Sequence, residues 1–291
     1  MVESILLAVD EDAVERDVVA HTRALAEHLS ASVYVLHVVD VTELETAPES
    51  EVAREDAAEF VADVASTFEE AGVPVETAVR TAKPWEAIVA CATDVDADLV
   101  VMGTHGRTGI EHFELGSVAE AVVRDSTVPV LTVPVHENAT VSFPYERVLV
   151  ATDGSPEALA AARVAVSLAA RCDADVHVLS VVETAALGLD VRSEILEAEQ
   201  RGPAADAVTD VHALASEAGV DVTTTVTAGV PRAEIEAYVT SNDVDMVAMG
   251  THGRSGVAKY LLGNVAERTL RTSTVPVLTA GDVDGTGVDG G

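Results

Sequence analysis

One long pattern occurs twice in this chain, so any fold assigned to it must be one that can be repeated. Ile5-Leu6-Leu7-Ala8-Val9-Asp10 returns as Val148-Leu149-Val150-Ala151-Thr152-Asp153, and the apolar run from Val33 to Val39 returns from Val176 to Val182. Leu99-Val100-Val101-Met102-Gly103 returns as Met246-Val247-Ala248-Met249-Gly250, and Thr127-Val128-Pro129-Val130-Leu131-Thr132 as Thr274-Val275-Pro276-Val277-Leu278-Thr279. The two aspartates are 143 positions apart and the two glycines 147. A period of that length means two tandem domains, not a solenoid of short repeats.

Within each copy, short apolar runs alternate with helical patterns. The runs are apolar throughout, as strands covered on both faces should be. Strands are expected near 4–9, 33–39, 75–80, 98–102 and 129–134, with helices near 13–29, 50–71, 84–93 and 117–125. The second copy repeats them with strands near 147–152, 175–182, 221–227, 245–249 and 276–280. Pro84 and Pro231 stand where a helix would open, a position that tolerates a missing N–H. Alternating β and α implies parallel strands and right-handed crossovers, hence an α/β fold of two tandem open, doubly wound sheets. The expected division is 1–137 and 147–281 as domains, 138–146 as linker and 282–291 as a disordered tail.

The chemistry gathers at the strand ends, where open α/β sheets bind ligands. In each copy an apolar strand empties into glycines and then a helix start: Met102, Gly103, Gly106 and Arg107 ahead of Gly116, Ser117 and Val118, and Met249, Gly250, Gly253 and Arg254 ahead of Gly263, Asn264 and Val265. Glycine lets backbone approach a ligand closely, and a helix N-terminus offers free N–H groups and a positive dipole end, so this junction suits phosphate. The first strand of each copy ends in an acid able to accept from ribose hydroxyls, giving Ala8, Val9 and Asp10, and Ala151, Thr152 and Asp153, as site positions. Val38 and Val181, at the ends of the second strands, offer an apolar wall to a base. His105 and His252 sit in the glycine loops, equally placed to donate to phosphate or to face solvent.

Charge narrows the partners. The chain carries 50 acidic against 17 basic residues, net −33, and only Lys83 and Lys259 are lysine. So acidic a surface argues against nucleic acid and anionic membranes, which need clustered Lys and Arg. It suits a protein kept soluble in molar salt, where the Debye length falls to roughly 3 Å at 1 M and self-repulsion is screened. Cys91 and Cys172 lie far apart with no metal-type spacing, and are expected as buried free thiols in a reducing cytoplasm.

Asp after the first strand, with Gly106-x9-Gly116-Ser117 after the fourth, resembles the universal stress protein family over nearly the whole chain. The resemblance implies five-stranded sheets of order 3-2-1-4-5, ATP (or AMP or ADP, with or without Mg) as ligand, and no general catalytic activity. It also implies dimers joined through fifth strands. Here 129–134 and 276–280 could pair within one molecule as a pseudo-dimer, covering two edges that would otherwise be exposed. A homodimer of tandem chains and an unidentified protein partner remain open.

The copies differ. Glu11-Asp12 follows Asp10 where Gly154-Ser155 follows Asp153, and carboxylates beside a triphosphate repel it unless a cation or salt intervenes. Asn264 replaces the Ser117 hydroxyl but can still donate. Two nucleotide sites are expected, in a stress-response or signalling module. A slow Mg-dependent ATPase and a nucleotide-free interaction scaffold are the rivals. No P-loop, nucleophile elbow or HExxH helix supports catalysis.

Overall fold

The computed structural model describes residues 1–11, 16–41, 47–104, 115–183, 191–253 and 261–281, with the backbone course alone for 47–51 and 191–200. The first half runs β1 (Ser4–Val9), α1 (Arg16–Leu29), β2 (Ser32–Asp40), α2 (Ala47–Glu69), β3 (Val75–Ala82), α3 (Pro84–Asp94), β4 (Leu99–Gly103), α4 (Ser117–Asp125) and β5 (Val130–Val133). The second runs β6 (Arg147–Ala151), α5 (Pro156–Cys172), β7 (Asp175–Glu183), α6 (Val191–Glu217), β8 (Val222–Gly229), α7 (Pro231–Ser241), β9 (Met246–Gly250), α8 (Asn264–Thr272) and β10 (Val277–Ala280). Both prolines open their helices, as expected. The repeat offset changes between β2/β7 and β3/β8, where α2 has 23 residues and α6 has 27. The extra four residues are about one helical turn.

Each half is a parallel sheet of order 3-2-1-4-5, and the two fuse into a single ten-stranded sheet, β3-β2-β1-β4-β5-β10-β9-β6-β7-β8. The join is antiparallel, with Val277 opposite Thr132, Leu278 opposite Leu131 and Thr279 opposite Val130. The two fifth strands thus pair within one chain. Because side chains alternate across a strand, Ile5, Leu7 and Val9 enter one core with α1, α2, α5 and α6, while Leu6 and Ala8 enter the other with α3, α4, α7 and α8. Continuous apolar strands are what this two-sided burial requires, and Ile5, Leu6, Leu7, Val148, Leu149 and Val150 are all fully buried.

The seam has polar and aromatic parts besides its ladder. Thr132 Oγ1 donates to Val277 O at 3.1 Å and Thr279 Oγ1 to Val130 O at 3.3 Å, a pseudo-symmetric pair of buried hydroxyls. Arg171, in the last turn of α5, donates to the carbonyls of His28 and Leu29 at the end of α1, and His28 Nε2 lies 2.8 Å from Arg171 O. The segment joining the halves packs on α1: Tyr145 is 1% exposed, its Oη is 2.8 Å from His21 Nε2, and Phe143 stands edge-on to His21, His28 and Tyr145. Asp245 clamps the start of β6, accepting from Glu146 N, Arg147 N and Ser142 Oγ, just as Asp98 accepts from Glu3 N and Ser4 N at the start of β1.

Cys91 is buried and Cys172 half-buried, and both are free. Burial raises both thiol pKa values, which keeps them protonated and poorly nucleophilic. Among the described residues no helix is long and apolar enough to cross a membrane.

Candidate functional site

In the second half, the carboxyl ends of β6, β7 and β9 and the N-terminal turns of α5, α7 and α8 surround a cavity of about 370 Å³. This is the size range of small-molecule sites. Its floor and one wall are apolar, from Leu179, Val181, Ile235 and Met249. Its polar lining comes from Thr152, Asp153, Glu183, Thr251, His252 and Asn264, of which Thr152 and Thr251 are buried.

The chain is brought to this geometry by local chemistry. β6 ends where Thr152 N bonds Leu179 O of β7 at 2.9 Å. The turn that follows is held by its own side chains: Gly154 N donates to Thr152 Oγ1 and Ser155 N to Asp153 Oδ1. Ser155 then caps α5, accepting from Ala158 N, with Pro156 in the first turn. The glycine loop is fastened against this turn. A Cβ on Gly250 would stand 2.7 Å from Ala158 N, and one on Gly253 would stand 2.7 Å from Asp153 Oδ2. Only glycine at 250 lets the strand-end backbone lie that close to the backbone of α5, whereas at 253 the neighbour is the end of the Asp153 side chain. Ser155 Oγ, 3.4 Å from His252 O, ties the loops from the side.

Helix α8 opens into the cavity with Gly263 as N-cap, extended at φ −61°, and no side chain caps it. Its first intrahelical bond is Glu267 N to Gly263 O. The N–H groups of Asn264, Val265 and Ala266 therefore have no partner within the helix. α4 repeats this, with Gly116 as its uncapped N-cap and Glu120 N bonding Gly116 O. The glycine loops start alike too: Thr104 N bonds Val133 O and Gly116 N bonds Thr104 O, matched by Thr251 N to Ala280 O and Gly263 N to Thr251 O. His252 Nδ1 is 3.0 Å from Thr251 Oγ1, while its buried Nε2 has no hydrogen-bond partner among the described residues. A buried ring nitrogen without a partner fits an oxygen-bearing ligand next to it.

The expected positions of the second half converge: Ala151, Thr152, Asp153, Val181, Met249, Gly250, Gly253, Gly263, Asn264 and Val265 all line the cavity, while Arg254 lies outside the described residues. In the first half Ala8 and Val9 close β1, Asp10 follows, Val38 is in β2, Met102 and Gly103 close β4, and Gly116, Ser117 and Val118 form the start of α4. Gly106, Arg107 and His105 lie outside the described residues. The altered first loop has a local consequence. Glu11 Oε1 is 3.9 Å from Nε2 of the buried His37, whose Nδ1 is 2.9 Å from Val9 O; Ser180 holds the equivalent place in β7.

Sequence reasoning missed Leu179, Glu183, Pro231 and Ile235. Leu179 and Glu183 flank Val181 in the same strand, so period-two side-chain alternation from Val181 marks both for the same face. Pro231 reads in the sequence as a helix start, and a helix that opens at a strand end faces the ligand side of the sheet.

Comparison with known proteins agrees with this construction. A model of the universal stress protein family matches residues 1–134 and again 144–280. A universal stress protein of Methanocaldococcus jannaschii is 35% identical over 141 residues, covering 46% of this chain and 81% of that protein. One from Mycobacterium tuberculosis is 32% identical over 190 residues, 64% of this chain and 62% of its own length. The crystal structure of a universal stress protein from Archaeoglobus fulgidus superposes with a TM-score of 0.73 over 96% of this chain and 98% of that one, at 24% identity, which speaks to fold alone. The chain belongs to the universal stress protein family, as a member with two tandem domains.

Proposed function

We propose that this protein binds adenine nucleotides at two sites, one per half, and works as a nucleotide-responsive stress or signalling module. The observation carrying the reading is the second-half cavity. There an apolar slot from Leu179, Val181, Ile235 and Met249 would take the base, Asp153 the ribose hydroxyls, and the uncapped start of α8 with the glycine loop the phosphates. The partnerless Nε2 of His252 would be satisfied by a phosphate oxygen. In the first half Asp10, Val38, Met102, Gly103, Gly116, Ser117 and Val118 take the corresponding roles. ATP, ADP and AMP share the base and ribose contacts and differ in how far they reach along α8. A magnesium ion would screen the phosphates from Asp153 and Glu183.

Calorimetric titration with magnesium–ATP in molar potassium chloride tests the reading, and about two sites per chain is the expected stoichiometry. Gly253→Ala supplies the local test. Its methyl group would displace the Asp153 carboxylate, the far end of a short side chain, and leave the core intact. Affinity should fall several-fold at one of the two sites. Absence of binding by ATP, ADP and AMP alike, at any salt concentration, would refute the proposal.

A further inference from the structure

The ten-stranded sheet has two ends, β3 and β8, and the repeat makes them the same strand in two copies. Their side chains protect them differently. β3 reads Val-Glu-Thr-Ala-Val-Arg-Thr-Ala; Arg80 Nη2 bridges to Asp94 Oδ2 at 2.9 Å, and Arg54 Nε donates to Thr81 Oγ1 at 2.8 Å. β8 reads Val-Thr-Thr-Thr-Val-Thr-Ala-Gly over the same eight positions, with no charged residue. Six of those eight are β-branched, the residues that favour pairing in a sheet. Thr223, Thr224 and Val226 are exposed, Val226 to 40%. Among the described residues β8 pairs with β7 on its inner side, and no backbone hydrogen bond leaves its outer side. Proteins normally blunt such an edge with charge, proline or a covering element.

We infer that β8 is where a second copy of this chain docks, antiparallel and across a two-fold axis, extending the sheet from one molecule into the next. Three observations select this occupant. A strand paired antiparallel with itself is self-complementary, as a closed two-fold dimer requires. The same sheet already grows by antiparallel edge pairing at β5–β10, and that seam uses up the fifth-strand edges. Charge supplies the third. Two chains of net −33 repel over most of their surfaces, whereas β8 against β8 sets Thr and Val opposite one another with no like charges facing. Eight residues give a contact about 26 Å long. The helices packed on either side, α6 and α7, carry it toward the roughly 1,200 Å² of a small specific interface. Asp221 precedes the strand and Glu234 lies against Gly229 at its end, so association needs salt to screen them.

Sedimentation equilibrium of the full chain in molar potassium chloride, at micromolar to near-millimolar protein, reads the answer. The expected mass is twice the 30.1 kDa of one chain. The double variant Thr224→Lys, Val226→Lys puts two like charges on the edge at exposed positions and should return the mass to that of one chain, with circular dichroism and Tm near those of the parent. Thr77→Lys, at the equivalent exposed place on β3, should leave the dimer intact. A parent chain that stays monomeric overturns the inference. So does a double variant that still dimerises, or a dimer that Thr77→Lys dissociates equally well.

Discussion

Acid should loosen the joint between the two halves of the sheet, and His21 determines how much. The imidazole is 4% exposed, packed edge-on against Phe143 at a centroid distance of 5.8 Å, with Nε2 2.8 Å from Tyr145 Oη. Burial lowers its pKa from the ordinary 6.5 to about 4, and burial likewise raises that of Tyr145, so both partners are neutral near pH 7. Below pH 6.5 the unfolded chain takes up a proton that the native chain refuses. The contribution is therefore fully present above that pH and is lost as pH falls through the interval from 6.5 to about 4. The slope is about 1.4 kcal/mol per pH unit, so roughly 2 kcal/mol is gone at pH 5 and about 3 kcal/mol at the lower limit. Against the ~5–15 kcal/mol of a typical domain this is a large share. The assay is urea denaturation in molar potassium chloride from pH 7.5 to pH 5, on the parent and on His21→Gln. Both proteins carry the same acidic residues, so carboxylate protonation cancels in the difference. The parent should lose stability relative to the variant by about one proton's slope. Parallel curves, or an NMR titration placing the His21 midpoint near 6.5, would refute the reasoning.

Three buried hydroxyls, those of Thr132, Thr279 and Ser155, make contacts whose loss should be measurable. Thr132→Val removes a fully buried hydroxyl that donates across the seam to Val277 O while keeping its shape, and should lower stability by about 1 kcal/mol in the same urea assay. The equivalent Thr279→Val, whose bond is longer at 3.3 Å, should cost less. Ser155→Ala deletes both the cap of α5 and the tie to His252 O; about 1 kcal/mol of stability should go with the cap. Nucleotide affinity of the second site should fall too, measured by the stoichiometric titration, because the two loops at its mouth are then no longer fastened together.

The inner strands of each half were legible because two-sided burial demands continuous apolar runs, which the edge strands β3 and β8 lack; the order 3-2-1-4-5 was legible only through the family resemblance. Ile5-Leu6-Leu7-Ala8-Val9 can be little else than a central strand. The second-half cavity was legible through spacing: a strand-end acid, a strand-end valine and a glycine–helix junction are far apart in sequence but share one edge of a doubly wound sheet. What escaped was set by contacts that periodicity does not carry. Nothing in the string Phe143-Pro144-Tyr145 says that a linker will send two rings into the contact with α1, because that depends on His21 and His28 lying over a hundred residues earlier. Glu183 and Ile235 escaped for a different reason. Glu183 looks like a strand's polar end although alternation from Val181 puts it on the same face, and Ile235 looks like an ordinary apolar helix residue that only the folded edge of the sheet brings beside it.

Joining two such domains covalently changes what substitution can do. In a dimer of identical chains every change appears twice, on both sides of the axis. Here the halves vary separately, even at the seam, where His28 of α1 and Arg171 of α5 hold equivalent places and bond to one another's helix ends. Where the seam needs a matched pair it has one, Thr132 and Thr279, each donating to a carbonyl of the other fifth strand. Between β2 and α3 the first half sets Tyr34 beside Cys91; the second half sets His177 at the strand position and Tyr238 at the helix position, bonded at 3.0 Å, so the ring has changed sides. Beside the sites the first half has Glu11 and His37 where the second has Gly154 and Ser180. The first of these pairs puts a carboxylate at the loop that follows Asp10, and the second leaves that place to backbone. If both halves bind nucleotide as proposed, two sites bordered by different charge need not respond to the same ligand concentration. A tandem chain can therefore hold two thresholds in one molecule, which a symmetric dimer cannot do without breaking its symmetry.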